Sequence, residues 1–380
     1  MRKIIGAVIL LFAVASTARA DVEINSDNFP DNNFRGYISE YLDLDKDGSL
    51  SDTEISNATE IEVEELGINS LKGIEYFTSL KKLSCGHNKA LTSLNLDANV
   101  NLEVLFCTEN TLKEISVSGC EKLKEFYCYI NSIDQIDLTH NTELVSFDCQ
   151  ENCIAELDLS KNTKLVMLDC GANEITSLNL SNNTELRYLY CRDLNLNSLD
   201  VERLVNLVHL WCFNDGLNEL NLSSNNKLRS IRAYGNKLKT LDLSNKEFLT
   251  ELSLSDNEIS DNYKLQTSLN FDVKETDGKF QVVFKDVAEF WNVKDIEAFD
   301  SSGKTITITR DSYDLATGTA EFPSSPSIVT YRYNTGLSNI TLNVEMSKNN
   351  VASSSSGGCS LAEIYFWVWL PLFLPFKRKS

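Results

Sequence analysis

Residues 147–173 read FDCQENCIAELDLSKNTKLVMLDCGAN, and they contain one complete copy of a motif that recurs along much of the chain. The pattern hydrophobic-x-Cys-x-x-Asn begins at Phe147 and begins again at Leu168, 21 residues later. Between the two copies lies a second pattern, L-x-L-x-x-N-x-x-L, which begins at Leu157. Self-similarity at a fixed period of about 20 to 50 residues is typical of solenoid proteins, in which each repeat is one structural unit.

The same pattern continues in both directions from this stretch and gives nine copies, which we call rungs. The first interval is 22 residues long because Ala90 is added, and the later intervals are 21. The last two rungs keep the period but place Ala233 and Leu254 in the cysteine slot. The slot therefore requires a hydrophobic side chain rather than a thiol. Its cysteines are Cys85, Cys107, Cys128, Cys149, Cys170, Cys191 and Cys212.

A single rung cannot bury its own hydrophobic side chains, so neighbouring rungs must stack. Each hydrophobic-x-Cys triplet predicts a short strand with alternate side chains pointing inward, and successive strands then form a parallel ladder about 4.7 to 4.9 Å apart. The repeated Asn is expected to hydrogen-bond backbone groups at the buried turn that would otherwise lack partners. Leu194 and Asp215 stand where two rungs should carry this Asn, so local distortion is predicted there.

The repeated residues resemble the leucine-rich-repeat family, in particular the short-repeat bacterial internalins, over residues 68–259. The resemblance implies a mainly β fold with short helices, built as a solenoid of about nine rungs of 21 residues. It implies a binding surface without naming the ligand. The predicted domains are a signal peptide at 1–20, a cap at 21–66, the solenoid at 67–259, a β-rich Ig-like domain at 260–348, and a Ser/Gly linker with a tail at 349–380.

The cysteine column predicts free, buried thiols, although ten cysteines in an exported chain would ordinarily suggest a disulfide framework. Side chains stacked in parallel rarely offer the near-perpendicular torsion that a disulfide needs. A metal site in the column is disfavoured because the sequence has no C-x-x-C pair to converge on one ion. Cys120 and Cys153 lie outside the column, and their roles stay open.

The formal net charge of −20 argues against nucleic acid as a partner, since phosphate backbones are bound through Lys and Arg. Proteins, neutral glycans and cations remain open as partners. Catalysis is disfavoured because the three histidines lie in separate rungs and the chain has neither a G-x-S-x-G nor an H-E-x-x-H motif. We therefore expect a protein that is not an enzyme.

Both ends of the chain carry processing signals. Arg2 and Lys3, the apolar stretch 4–15 and the small residues up to Ala20 match a secretory signal peptide, with a retained anchor as the alternative. Near the other end, Cys359 follows a Ser/Gly spacer and precedes an apolar stretch at 364–376 and a basic end. This order resembles bacterial Gly-Gly-Cys-Ser sorting tails (Synerg-CTERM-like), which implies cleavage or lipid attachment at Cys359. We expect export to the cell surface or envelope, or release.

Residues 43–54, DLDKDGSLSDTE, match the calcium-loop pattern D-x-D-x-D-G-x5-E at every required position. Hydrophobic residues at helical spacing between Phe34 and Leu42 predict an entering helix, so residues 25–54 resemble one EF-hand or half of a dockerin. An acidic surface turn without metal is the alternative. The predicted ligands of one structural Ca²⁺ are Asp43, Asp45, Asp47, Ser49, Ser51 and Glu54.

Side chains that alternate with the inward ones must point outward from the ladder, onto its curved concave face. Two aromatic groups separated by an acidic pair are predicted there, and exposed apolar patches of this kind usually mark interaction sites. Cross-strand stacking that merely stiffens the sheet is the alternative. The predicted binding face consists of Phe106, Tyr127, Tyr129, Asp148, Asp169, Tyr188, Tyr190, Arg192, Trp211, Phe213, Arg232 and Tyr234.

Two functions from different classes are consistent with these features. The first is a monomeric surface protein for binding or adhesion, which recognises an extracellular protein or glycan through the predicted face and is held at the membrane or envelope by its tail. The second is a passive envelope protein, stabilised by calcium and by association with copies of itself. In both cases residues 262–346 are predicted to form a small antiparallel β-sandwich that caps the solenoid.

Overall fold

A computed structural model describes residues 21–271, 273–276, 279–283, 293–307, 313–314, 319–338 and 340–348. The predicted signal peptide with Ala20, and the predicted sorting tail with Cys359, lie outside the described residues. Across those described ranges, no helix combines the length and the apolar character needed to cross a bilayer.

The N-terminal cap is a helix-loop-helix unit. The carboxylate of Asp31 accepts hydrogen bonds from two N–H groups in the first turn of α1 (Asn32–Tyr37), which caps that helix. Phe34 and Ile38 are fully buried in the core. Ser51 and Glu54 form a capping box at the start of α2. The elements are β1 Val22–Glu23, α1 Asn32–Tyr37, a π-helical turn Ile38–Leu42, β2 Ser49–Leu50 and α2 Asp52–Asn57.

Ten parallel strands form the solenoid sheet, which we call the ladder. Nine belong to the rungs and one to the cap, so the ladder begins before the predicted boundary at residue 67. A separate two-stranded sheet joins β5 Ser93–Asn95 to β7 Glu114–Ser116. From the cap onward the strands are β3 Glu60–Glu62, β4 Lys82–Ser84, β5 Ser93–Asn95, β6 Val104–Phe106, β7 Glu114–Ser116, β8 Glu125–Tyr127, β9 Ser146–Asp148, β10 Met167–Asp169, β11 Tyr188–Tyr190, β12 His209–Trp211, β13 Ser230–Arg232 and β14 Glu251–Ser253, with a short 3-10 helix at Ile74–Tyr76.

The core lies behind the ladder and follows the predicted periodicity. The register places Phe147 between Phe126 and Leu168, so each inward residue packs on its equivalent in the next rung. The seven column thiols are fully buried and free, which confirms the prediction for them. Burial raises the pKa of the column thiols far above the ordinary value, so they stay protonated and unreactive. Cys120 is also buried, whereas Cys153 is exposed.

The repeated asparagines join the turns of successive rungs, as predicted. In one typical rung, the Asn152 side-chain amide donates to the carbonyl oxygens of Cys128 and Cys149, both at 3.0 Å. Its Oδ1 accepts the backbone N–H of Ile133 at 3.0 Å. Each Asn therefore satisfies buried backbone groups in its own rung and in the preceding one. The same bonds recur at Asn88, Asn110, Asn131, Asn173, Asn236 and Asn257.

In the described residues after the last rung there are nine strands, namely β15 Tyr263–Phe271, β16 Lys274–Thr276, β17 Lys279–Val283, β18 Val293–Phe299, β19 Thr305–Ile306, β20 Tyr313–Asp314, β21 Thr319–Phe322, β22 Ile328–Tyr333 and β23 Ile340–Lys348. They form two sheets, in the orders β15-β23-β22-β18-β19 and β16-β17-β21-β20. β15 and β23 run parallel, so the first sheet is mixed and not purely antiparallel as predicted. The Leu254 N–H donates to the carbonyl oxygen of Thr335 at 2.8 Å, so the loop after β22 covers the last rung.

Candidate binding face and acidic loop

The predicted binding face lies on the side of the ladder opposite the hydrophobic core. The register places Tyr127 between Phe106 and Asp148, in a column that alternates with fully buried hydrophobic residues. None of the aromatic side chains of the predicted face belongs to the buried cluster formed by the inward Leu and Cys side chains. The strand alternation therefore places the predicted residues on one face.

These aromatic side chains are less exposed than the sequence analysis predicts. Tyr127, Tyr190 and Phe213 are 8%, 9% and 8% exposed, respectively. In an in-register parallel ladder, rings at equivalent positions of adjacent rungs lie close enough to stack. The rings of Phe106 and Tyr127 are 4.8 Å apart and nearly parallel, with an interplanar angle of 5°. The prediction of exposed rings is therefore wrong for Tyr127, Tyr190 and Phe213, because neighbouring rings cover them. The other predicted rings are half-buried, namely Phe106, Tyr129, Tyr188, Trp211 and Tyr234.

The larger aromatic cluster extends from β11 to the residues after β13. The ring centroids of Tyr190 and Trp211 are 4.5 Å apart. The guanidinium carbon of Arg232 lies 3.8 Å from the centroid of the Trp211 ring, which is a close cation–π contact. In the adjacent column, Phe213 and Tyr234 stack at 4.3 Å with an interplanar angle of 11°. The cluster is thus continuous across three rungs.

Hydrogen bonds hold several of these side chains in one orientation. The Tyr127 hydroxyl lies 3.1 Å from the Ser146 Oγ, and the Trp211 Nε1–H donates to the Ser230 Oγ at 3.0 Å. The edge of Tyr188 contacts the ring of His209. Burial, together with nearby arginines, lowers the pKa of His209 to about 4, so this imidazole is neutral at physiological pH. Tyr129 is half-buried and lies two residues after Tyr127 of the stacked Phe106–Tyr127 pair.

The acidic centre of the face is a closed polar cluster and not the exposed pair that was predicted. Asp148 and Asp169 are 7% and 3% exposed. The Arg192 guanidinium Nη1 lies 2.9 and 3.0 Å from the two carboxylate oxygens of Asp169, and its Nη2 donates to the Gln150 side chain. Burial raises the pKa of Asp148, and the neighbouring Asp169 raises it further. Arg192 folds back over Gly171, where no side chain fills the space, and this closes the centre.

A column of turn residues that the sequence analysis missed borders the face. Ten successive turns place a residue with a left-handed backbone just after the strand, with φ between 51° and 66°. Five of the ten are acidic and none is Lys or Arg. Reading the repeat one position beyond the outward residues would have revealed this edge column. Its members are Glu65, His87, Glu109, Ile130, Glu151, Ala172, Asp193, Asn214, Gly235 and Asp256.

The acidic loop brings together three of its six predicted ligands. Carboxylate oxygens of Asp43, Asp45 and Asp47 lie within 4.8 Å of one another. The Asp47 backbone N–H lowers the pKa of Asp45, but partial desolvation and the neighbouring carboxylates outweigh it, so the net pKa is raised. Three converging carboxylates are the ligand chemistry that a hard cation prefers.

The remaining predicted ligands lie close to this group without joining it. Glu54 Oε1 accepts the Leu44 N–H at 2.6 Å, and Oε2 accepts the Ser51 N–H at 2.9 Å and the Ser51 hydroxyl at 2.8 Å. The N–H of Ser49 donates to the Asp47 carboxylate at 2.8 Å. Both hydrogen-bonded oxygens of Glu54 therefore stay inside the loop, where a cation could compete for them.

Comparisons with known proteins find similar solved structures but assign the chain to no family. No protein-family model matches the chain, and no curated protein matches it. One similar solved structure is the functional domain of InlJ from Listeria monocytogenes, described as including a cysteine ladder. It has 22% identity, covers 87% of this chain and 99% of that one, and has a TM-score of 0.38. YopM from Yersinia pestis has 26% identity, covers 56% of this chain and 62% of that one, and has a TM-score of 0.48. The fold assignment rests on the ladder itself.

Proposed function

We propose that this chain is an exported, non-catalytic binding protein that recognises another protein through the binding face. The observation that supports it is a set of Tyr, Trp, Phe and Arg side chains gathered on the outer side of the ladder, apart from the hydrophobic core. These rings are repeated at outward positions that the hydrophobic core does not require. Trp, Tyr and Arg are also the residue types that supply most binding energy at protein interfaces.

The ring geometry favours a protein ligand over a glycan. Sugar rings pack their C–H groups on the open flat face of an aromatic side chain. In the pairs Phe106–Tyr127 and Phe213–Tyr234, the flat faces already cover each other along the ladder. These rings therefore offer mainly their edges to a ligand. Edge contacts of this kind suit the mixed polar and apolar surface of a polypeptide.

The rigidity of the face supports the same proposal. Trp211 is held between Tyr190 and Arg232, and its indole N–H is bonded to Ser230. Side chains that are already ordered lose little conformational entropy when a partner binds. Stacking that stiffens the sheet and stacking that prepares a binding surface are therefore compatible.

The charge of the edge column indicates the kind of polypeptide. Glu151, Asp193 and Asp256 are exposed, and the whole chain carries a net charge of −20. A positively charged segment lying along the ladder would be attracted to this edge while its apolar side chains contact the aromatic edges. We therefore propose a basic, partly apolar polypeptide segment as the ligand.

Panning of a random peptide library on the mature chain, with a glycan array in parallel, tests the proposal. We expect enriched peptides with net positive charge whose affinity falls as salt concentration rises. Trp211→Ala should weaken their binding more than about tenfold, equivalent to about 1.4 kcal/mol. Phe248→Ala is the matched control, since Phe248 is 46% exposed outside the face. Equal losses in both variants, or binding to glycans alone, would overturn the proposal.

We also propose that the acidic loop binds one structural Ca²⁺. Asp43, Asp45 and Asp47 would hold it through their carboxylates, and Glu54 would add its oxygens. The ion supplies positive charge that offsets three converging carboxylates. The role is structural, because the loop joins α1 to α2 in the cap that covers the first rung.

A further inference from the structure

The Asn ladder is interrupted at two neighbouring rungs, and the interruption leaves a buried carboxylate in an amide position. In unbroken rungs the Asn Nδ2 donates to two carbonyl oxygens, as Asn131 does to those of Cys107 and Cys128, both at 3.0 Å. Leu194 and Asp215 occupy the sixth and seventh of the nine positions of this series and have no such N–H group. The backbone carbonyl groups at this break therefore receive fewer side-chain N–H donors than those of the unbroken rungs.

Asp215 performs half of the role of an Asn. Its side chain is fully buried, and its Oδ1 accepts the N–H of Leu194 at 2.8 Å, as the Oδ1 of each ladder Asn accepts a backbone N–H. Its Oδ2 is buried and has no hydrogen-bond partner. This is the atom that corresponds to the donating Nδ2 of an Asn.

The hydrogen bonds of the backbone carbonyl groups near Asp215 show which of them lacks a side-chain donor. Cys170 and Cys212 each still receive one side-chain N–H, from Asn173 and Asn236. Within the described part of the column, the carbonyl of Cys191 receives none, because both of its expected donors are the replaced residues. By the geometry of the other rungs, Nδ2 at position 215 would bond to this carbonyl. An ionised carboxylate would instead place two acceptors against each other.

We propose that Asp215 carries a proton in the folded chain and that its Oδ2–H donates to the carbonyl oxygen of Cys191. The protonated carboxyl then completes the ladder in the manner of an amide. Loss of the proton breaks this link in the rung that carries Trp211 and Phe213. The hydrogen bonding between this rung and the preceding one thus depends on a proton.

The groups around Asp215 agree with this assignment. Burial raises the pKa of Asp215 to about 7; the Leu194 N–H lowers it, Asp193 raises it and Arg192 lowers it. The thiols of Cys170, Cys191 and Cys212 also face the carboxyl, and burial keeps them neutral. Because the folded pKa lies above the ordinary value, the stabilisation is complete only below about pH 4, falls as pH rises further, and is lost once pH has passed through about 7.

Thermal unfolding of the full mature chain and of Asp215→Asn, between about pH 5 and pH 8.5, tests the proposal. Asn supplies the N–H at every pH, so we expect the melting temperature of the variant to exceed that of the wild type by an amount that grows from about pH 5 to about pH 7 and reaches several degrees at pH 8.5. Asp256→Asn, an exposed edge-column carboxylate, is the matched control and should follow the wild type.

Infrared spectroscopy gives a second readout that does not depend on stability. The difference spectrum between the wild type and Asp215→Asn near pH 6 should contain the C=O band of a protonated carboxyl group, and this band should vanish above about pH 8. Absence of the band near pH 6, or parallel melting curves of wild type and Asp215→Asn across the pH range, would overturn the proposal.

Discussion

In the turn that follows each ladder strand, the conformation of a single residue is restricted. It requires a left-handed backbone, which Gly, Asn and Asp adopt most readily and which is costly for β-branched side chains. Ile130 occupies such a turn at φ 55° and is also 39% exposed. Both features are unfavourable at the level of local structure. Ile130 follows Tyr129 of the binding face, so we interpret it as a residue kept for contact rather than for folding.

Replacing Ile130 should therefore stabilise the protein. Ile130→Asn is expected to raise the free energy of unfolding by about 1 kcal/mol, because Asn tolerates the left-handed backbone. Urea unfolding monitored by circular dichroism measures this change. Val100→Asn is the control, since Val100 is 48% exposed but lies outside the positive-φ turns. A similar gain in both variants would indicate that removal of surface hydrophobicity, and not backbone strain, is the cause.

Among the secondary-structure elements, the short strand β1 explains how a single acidic loop can be ordered. EF-hand loops usually pair through short strands, each loop supplying one. Here β1 pairs with β2, which lies inside the loop, and the Ile24 N–H donates to the carbonyl oxygen of Gly48 at 3.0 Å. The chain thus supplies from its own N-terminal segment the strand that a second loop would provide. This arrangement favours a fixed structural ion over a switch.

Calcium should stabilise the cap and act through Glu54. With free Ca²⁺ about a hundredfold above its Kd, we expect about 2.7 kcal/mol of added stability in the full chain. Glu54→Gln should abolish most of this gain, since Gln retains the capping box with Ser51 but loses the charge. Glu60→Gln, an exposed carboxylate of β3, is the control. Isothermal titration of each variant measures binding, and no heat with the wild type would contradict the prediction.

Across the whole molecule, stability is distributed along the solenoid. Each rung buries its Leu and Cys against two neighbours, so opening one rung exposes the core of the next. The buried column thiols run through seven consecutive rungs, whereas Cys153 alone among the nine described cysteines is exposed. The thiols are therefore natural reporters of solenoid opening.

Thiol labelling of the native mature chain should separate these classes. We expect a disulfide-exchange reagent such as DTNB to modify Cys153 within seconds, and the column thiols only at the rate of global unfolding. Cys153→Ser should remove the fast phase assigned to Cys153 and leave the slow one unchanged. Fast labelling of Cys149, located by mass spectrometry of digested protein, would show that the middle of the ladder opens locally.

Much of this architecture follows from the period of the sequence alone. Once the repeat is 21 residues long, Cys149 must lie beside Cys128 and Cys170, and the Asn at each turn must meet the carbonyls of two rungs. The side of the ladder that carries Tyr127 and Trp211 follows from strand alternation for the same reason. The period of the sequence determines the direction in which each side chain points, because every rung repeats the same backbone path.

The exposure of each side chain, and the covering of the acidic centre by Arg192, were decided only by the tertiary structure. Arg192 lies 23 residues after Asp169, and no local pattern distinguishes it from an exposed arginine until it folds over Gly171 and buries the ion pair. The stacked rings of Phe106 and Tyr127 likewise depend on exact neighbours in adjacent rungs. The parallel pairing of β15 with β23 depends on the path of the intervening chain. Periodicity sets where a side chain points, whereas its burial depends on contacts between residues that are distant in the chain.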